Sequence, residues 1–169
     1  MKRLGILLLL MPVCLIFLHC GVPRAVWPQK DMESASVNAS TLEKKLLIAS
    51  RKSDFKDQVV EDILAEFRDK PVYMKITGLN KLETESAGDY SAVVILNTCM
   101  AWGLDRNVQA FLKNNPDQDR LIILTTSSNG KWAPKMENRT FDAISAASRI
   151  ERADSVASDI VQKIQKLLE

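Results

Sequence analysis

Short apolar runs alternate along this chain with segments in which apolar residues recur at three- and four-residue steps. Continuous runs are typical of strands buried on both faces of a parallel sheet, and the stepped pattern is typical of an amphipathic helix. The strand candidates are Leu46–Ala49, Val72–Thr77, Ala92–Leu96, Leu121–Thr125 and Phe141–Ala147. The stepped pattern predicts helices over 54–68, over 104–112 and along the C-terminal stretch from Ala153 to Leu168.

The order of these elements favours a parallel, doubly wound α/β sheet, because short apolar strands are mixed with helices that can cross over between them. Gly78–Asp89 is mostly polar, and we expect a loop there. Ser127–Thr140 separates the last two strands and is too short for a full helix with a loop on each side. The sequence therefore predicts that the helix expected between these strands is missing or reduced to a turn.

The N-terminus has the layout of an export signal, with Lys2 and Arg3 before an apolar run of 15 residues from Leu4 to Leu18. As a helix this run would rise about 22 Å, short of the roughly 30 Å hydrocarbon core of a bilayer. Cys20-Gly21 resembles the lipid-modified cysteine of bacterial lipoproteins, although Phe17 and His19 depart from the usual lipobox. Three outcomes stay open: lipidation at Cys20, an uncleaved membrane anchor, or cleavage and release.

These features divide the chain into three parts. Residues 1–20 are expected to be a signal peptide or membrane anchor, and 21–43, with few apolar residues, a flexible tether. Residues 44–169 form the folded domain. We expect the protein to be exported and held in the cell envelope by its N-terminus.

Composition narrows the chemistry of the folded part. The only histidine of the chain, His19, lies in the leader, and no metal-ligand spacing occurs, so histidine-dependent catalysis and a metal site are not expected. Without the two basic residues of 1–20 the basic and acidic residues are equal in number, which argues against nucleic acid as a partner. Cys99 is the one cysteine outside the leader, so no internal disulfide is expected there.

The domain resembles the flavodoxin-like family over nearly its whole length. Lys45–Glu61 looks like the family's first strand, phosphate loop and first helix, and Asp89–Thr98 looks like its third strand. Trp102-Gly103 is similar to the aromatic-Gly loop, and Arg120–Gly130 to the fourth strand and its flavin-flanking loop. The resemblance implies a five-stranded parallel sheet of order 2-1-3-4-5, with ligands at the carboxyl ends of the strands.

The resemblance also implies a flavin mononucleotide (FMN) site built from three loops. Its candidate residues are Ser50, Arg51, Lys52, Ser53, Asn97, Thr98, Trp102, Gly103, Thr126 and Ser127. Trp102 is placed to stack on the flavin ring. The first loop departs from the family's "S/T-x-T-G-N-T", because Asp54 stands where a glycine is usual and Phe55 follows it.

Two functions follow from these matches and departures. The leading hypothesis is a non-enzymatic binding or accessory domain with weakened or lost FMN binding, in which the Asp54 carboxylate or the Phe55 ring fills the phosphate space. The alternative is an FMN-dependent electron carrier or reductase, which requires the backbone N–H groups of 51–56 to converge on one anion, with Asp54 turned outward. Its partners would be the membrane, through the N-terminus, and a protein of the envelope.

Overall fold

The structure is a computed structural model that describes residues 29–134 and 141–169. The expected signal or anchor segment, with Cys20, therefore lies outside the described residues. The elements run in the order β1 (Ala35–Val37), β2 (Lys44–Ser50), α1 (Asp54–Phe67), β3 (Val72–Gly78), β4 (Ala92–Thr98), α2 (Arg106–Asn114), β5 (Leu121–Ser127), β6 (Asp142–Ala147) and α3 (Ala153–Leu168). Short 3₁₀ turns occur at Leu79–Thr84, Ala87–Asp89 and Ile150–Arg152.

Six strands form one sheet of order β1-β3-β2-β4-β5-β6. The five strands from β2 onward are parallel and confirm the expected order 2-1-3-4-5. The sixth strand, β1, was not predicted. It pairs antiparallel with β3, with Ala35 opposite Ile76 and Val37 opposite Met74, and so lies on the sheet edge within the stretch expected to be a tether.

Helices cover the two faces of the sheet unequally. Helices α1 and α3 pack on one face, where Phe55, Val59, Ile63 and Ile160 meet side chains such as Leu46 and Val94. On the other face, α2 packs beside the turns that follow β3. Apolar residues therefore line both sides of β2, β4 and β5, which explains their continuous apolar runs.

Two connections differ from a full set of crossover helices. The segment Gly78–Asp89, expected to be a loop, forms 3₁₀ turns that bury Leu79, Leu82 and Ala87 in the core. Between β5 and β6, the described residues 128–134 and 141 contain no helix. Both connections leave the carboxyl ends of the parallel strands bordered by short loops and turns rather than by long helices.

Candidate functional site

The strand order places a topological switch point between β2 and β4. Strand β2 is followed by α1 on one face, and β4 is followed by α2 on the other. In open α/β sheets, ligands bind in the crevice beyond the carboxyl ends of the strands at such a point. The residues that follow β2 and β4 therefore decide what this crevice can hold.

An ion pair crosses the crevice on the α2 side. The Arg51 guanidinium donates through Nε to Asp105 Oδ2 at 3.0 Å, and its Nη2 lies 2.9 Å from the same oxygen. Asp105 is buried and also caps α2, because its Oδ1 accepts from the Asn107 amide. Its own amide donates to Asn97 Oδ1 at 2.9 Å. The pair is held on both sides, which fits the burial of the Asp105 carboxylate.

A lysine crosses the crevice on the α1 side. Lys56, in the first turn of α1, is 2% exposed, and its ammonium donates to Thr98 Oγ1 at the end of β4, 2.5 Å away. Burial, together with repulsion by Arg51, lowers the pKa of Lys56 to about 7, while Asp105 and Asp57 act in the opposite direction. Lys56 thus joins the start of α1 to the end of β4.

The N-terminal segment 29–33, here called the strap, lies along the loop that follows β2. Lys52 donates its amide to the Lys30 carbonyl at 2.8 Å, and Met32 donates to the Ser50 carbonyl at 3.1 Å. The Arg51 guanidinium also donates to the Gln29 carbonyl. The strap therefore takes up backbone groups of the same loop that would face a phosphate.

Asp31 fixes the strap to three places at once. Its carboxylate accepts hydrogen bonds from Arg51 Nη1 at 3.3 Å and from the backbone N–H of Asn80 at 3.2 Å. Its Cβ lies so close to Gly78 that a Cβ added to that glycine would stand 2.6 Å from it. A glycine at the end of β3 is thus required by the close approach of the strap.

The hydroxyls of the first loop are also engaged. Ser50 is fully buried and donates to the Arg51 carbonyl at 2.9 Å. Ser53 caps α1 by accepting from the Lys56 amide. The resemblance to flavodoxin-like proteins places the FMN phosphate at this loop. The Ser50 and Ser53 hydroxyls and the Lys52 amide of the loop are already engaged within the chain.

The structure places the two residues expected to fill the phosphate space. Phe55 packs in the core between α1 and the sheet, and Asp54 is exposed. The expectation that Phe55 fills the space was wrong, because the apolar stripe of α1 turns its ring inward. An exposed Asp54 is what the FMN-binding alternative requires. The contacts at this edge are instead made by Arg51, Lys56 and the strap.

A groove remains open farther along the same edge, beyond β4 and β5. It has a volume of about 650 Å³ and lies between Trp102-Gly103 on one side and Lys131–Pro134 on the other. Trp132 packs partly against the core, whereas Trp102 is 55% exposed. The groove thus has an indole on each side and Lys131 and Gln109 as polar groups in its wall.

Trp102 is exposed to solvent on a turn with a strained backbone. Ala101 and Trp102 have φ angles of 49° and 56°, both in the left-handed region, and an antiparallel bridge joins Met100 to Gly103 around them. Non-glycine residues in this region cost free energy and are held there by surrounding structure.

Three further candidate residues lie at the ends of β4 and β5. Asn97, Thr126 and Ser127 are buried, and Thr126 donates to the Asn97 carbonyl. Trp102 and Gly103 alone among the ten candidates line the groove. No local pattern marks Asp31, whereas Asp105 directly precedes the observed helix α2, where a capping carboxylate is common. Within 29–134 and 141–169, no group of three or more potential metal ligands occurs, and no helix is long and apolar enough to span a membrane.

Comparison with known proteins gives matches at the level of structure. No protein-family model matches the chain, and no curated protein matches it. An oxidoreductase from Corynebacterium diphtheriae superposes with a TM-score of 0.52 at 10% identity, covering 76% of this chain and 98% of that one.

Two weaker structural matches name flavin proteins. A flavodoxin from the domain Archaea gives a TM-score of 0.42 at 10% identity, covering 72% of this chain and 99% of the other. A flavodiiron core from Synechocystis gives 0.45 at 11% identity, covering 75% and 37%. The observed strand order and the match to the Corynebacterium oxidoreductase show that the described residues have a flavodoxin-like α/β fold.

Proposed function

We propose that this protein is a membrane-tethered binding or accessory domain of the cell envelope that has lost high-affinity FMN binding. The observation that carries the loss is the Arg51–Asp105 ion pair, which joins the loop after β2 to the N-cap of α2 at 2.9 Å. A flavin phosphate would have to compete with Asp105 for the guanidinium and with the strap for the Lys52 amide. Both competitors are part of the same chain and already in place.

The open groove is the binding site in this proposal. Two indole rings face a space of about 650 Å³, and Lys131 and Gln109 add hydrogen-bond donors at its wall. Such a site suits a flat, largely apolar group, since aromatic walls supply contact area and a few polar groups fix orientation.

A flavin titration of the full-length protein in detergent tests the loss of FMN binding. We expect a colourless protein after removal of free ligand. We also expect FMN and riboflavin to bind equally weakly, because the phosphate finds no site. Retained, quenched FMN at micromolar or tighter affinity, with riboflavin much weaker, would overturn the proposal.

The alternative function, an FMN-dependent electron carrier or reductase, is favoured by the same pair of tryptophans. In that case Trp102→Ala should weaken FMN binding by about 1–3 kcal/mol, the scale of aromatic stacking on a base. The ring of the flavin would then supply the redox chemistry, and the protein the stacking.

The tether is supported by the sequence of residues 1–20. Fractionation of cells that express the natural gene product, followed by mass spectrometry of the N-terminal peptide, tests it. A lipid-modified Cys20 or an intact leader in the membrane fraction supports tethering. A soluble product that begins after residue 20 refutes it.

A further inference from the structure

Two large apolar side chains stand out on the surface. Within the described residues, Trp102 and Ile150 are the large hydrophobic residues classed as exposed, at 55% and 53%. Trp102 follows β4, and Ile150 follows β6. Because β4, β5 and β6 are parallel neighbours, both residues lie at the carboxyl edge of the sheet.

Exposed basic side chains lie in the same two segments as these residues and in the segment that follows β5. They belong to segments that follow β4, β5 and β6 and comprise Arg106, Lys131, Arg149 and Arg152. Glu151 is the one exposed acid in the described part of the segments 99–106, 128–134 and 148–152. The described residues of these three segments are therefore mainly basic, although acidic and basic residues are nearly balanced over the whole chain. The strap and the segments after β2 and β3 carry exposed residues of both signs.

The path of the N-terminal segment indicates which edge of the sheet lies nearest the expected membrane anchor. The strap runs along the loop after β2, so residue 29 lies at the carboxyl edge too. Eight residues, 21–28, separate it from the apolar leader. Fully extended, they reach about 26–29 Å, which limits how far this edge can lie from a bilayer that holds the leader.

We propose that the carboxyl edge of the sheet faces an anionic bilayer and that Trp102 and Ile150 dip into its interface. The inference rests on the proposed tether and adds an orientation to it. Tryptophan is favoured at the headgroup level, and basic residues close to an anionic surface are attracted to it. The strained turn at Ala101-Trp102 then has a role, because it holds the indole outward.

Quenching by brominated lipids tests this orientation. The full-length protein is reconstituted into phosphatidylcholine–phosphatidylglycerol vesicles with plain or brominated acyl chains, and tryptophan fluorescence is recorded. We expect the brominated vesicles to quench the wild-type protein more strongly than Trp102→Phe. The other two tryptophans, Trp27 and Trp132, are present in both proteins and serve as a constant background.

A matched pair of insertions separates this edge from the opposite one. In the Trp102→Phe protein, Ile150→Trp places an indole at the carboxyl edge, and Asp117→Trp places one in the exposed loop before β5 at the amino edge. We expect Ile150→Trp to restore quenching and Asp117→Trp not to restore it. Equal quenching of the two, or quenching of neither, would overturn the orientation.

Flotation of the same vesicles keeps the two proposals apart. A protein that does not float with the vesicles refutes the tether and this inference with it. A protein that floats but shows no Trp102-dependent quenching refutes the orientation alone. Weaker quenching at high salt for the wild type would support the contribution of the basic residues.

Discussion

Arg51 Nη2 lies 2.9 Å from Asp105 Oδ2, so a single ion pair joins the loop after β2 to the first turn of α2. The two residues are 54 positions apart in the chain. They meet at the point where the sheet order reverses, which is where this architecture usually receives a ligand. An ion pair of the chain itself thus occupies this position.

Removing the Asp105 charge should destabilise the domain strongly. Asp105→Asn keeps an N-cap acceptor but leaves Arg51 with Asp31 as its remaining carboxylate, and we expect a loss of about 2–4 kcal/mol in the free energy of unfolding. Asp105→Ala should lose about 1 kcal/mol more, because the cap is also removed. Urea denaturation measures both.

An exposed ion pair supplies the control for this prediction. Asp142→Asn breaks the contact with Lys163, in which both side chains are exposed to solvent by a third or more. We expect a loss below about 1 kcal/mol. Equal losses in the free energy of unfolding for Asp105→Asn and Asp142→Asn would show that the buried ion pair stabilises the domain no more than the exposed one.

The strap should depend on Gly78. In Gly78→Ala the new Cβ would stand 2.6 Å from Asp31 Cβ and 2.7 Å from Asn80 Oδ1, so the strap must shift. We expect a loss of about 1–3 kcal/mol, the usual cost of overpacking, and faster tryptic cleavage after Lys30. Gly88→Ala is the control, because its nearest neighbour would be 3.7 Å away. Unchanged cleavage in Gly78→Ala would show that the strap is not fixed there.

Much of the parallel core was predictable from local pattern. The runs that became β2, β4 and β5 are apolar on both faces because α1 and α3 pack on one side and α2 on the other. Ser53, a residue type that favours capping, directly precedes the helix predicted over 54–68 and is the N-cap of α1. Such features depend on residues close in sequence, so periodicity and capping preferences reveal them.

The contacts that cross the crevice could not be predicted from local sequence pattern. Asp31, Arg51 and Asp105 are brought together by topology, and no local pattern marks them as partners. Strand β1 is three residues long and is held by backbone pairing to β3, which requires no apolar signature. Lysine is usually exposed, but Lys56 follows Phe55 at the buried start of α1 and reaches Thr98.

The turn that carries Trp102 should be relieved by glycine. Ala101 has a φ of 49°, so Ala101→Gly removes a steric cost, and we expect the domain to gain about 1 kcal/mol. The same substitution at the exposed helical residue Ala110 should cost about 0.5–1 kcal/mol. Thermal unfolding of both variants checks the opposite signs. A loss of stability in Ala101→Gly would contradict the strain at this turn.

The depressed pKa of Lys56 should make the domain more stable as the pH rises above neutral. Its pKa is about 7 in the folded protein, against 10.5 as the ordinary value, so between these limits the unfolded chain binds more protons and unfolding becomes harder with rising pH. Burial raises the pKa of Tyr90, which lowers the stability as the pH rises above 10, so the rise due to Lys56 is clearest between pH 7 and 10.

In Lys56→Met we expect the urea midpoint to lose this rise with pH. Near pH 7 we expect it to exceed that of the wild type, because a buried charge is replaced by an apolar chain of similar length. Lys52→Met, which removes an exposed amine, should leave the pH profile unchanged. A wild-type midpoint that is flat from pH 7 to 10 would mean that the Lys56 ammonium stays charged in the folded state.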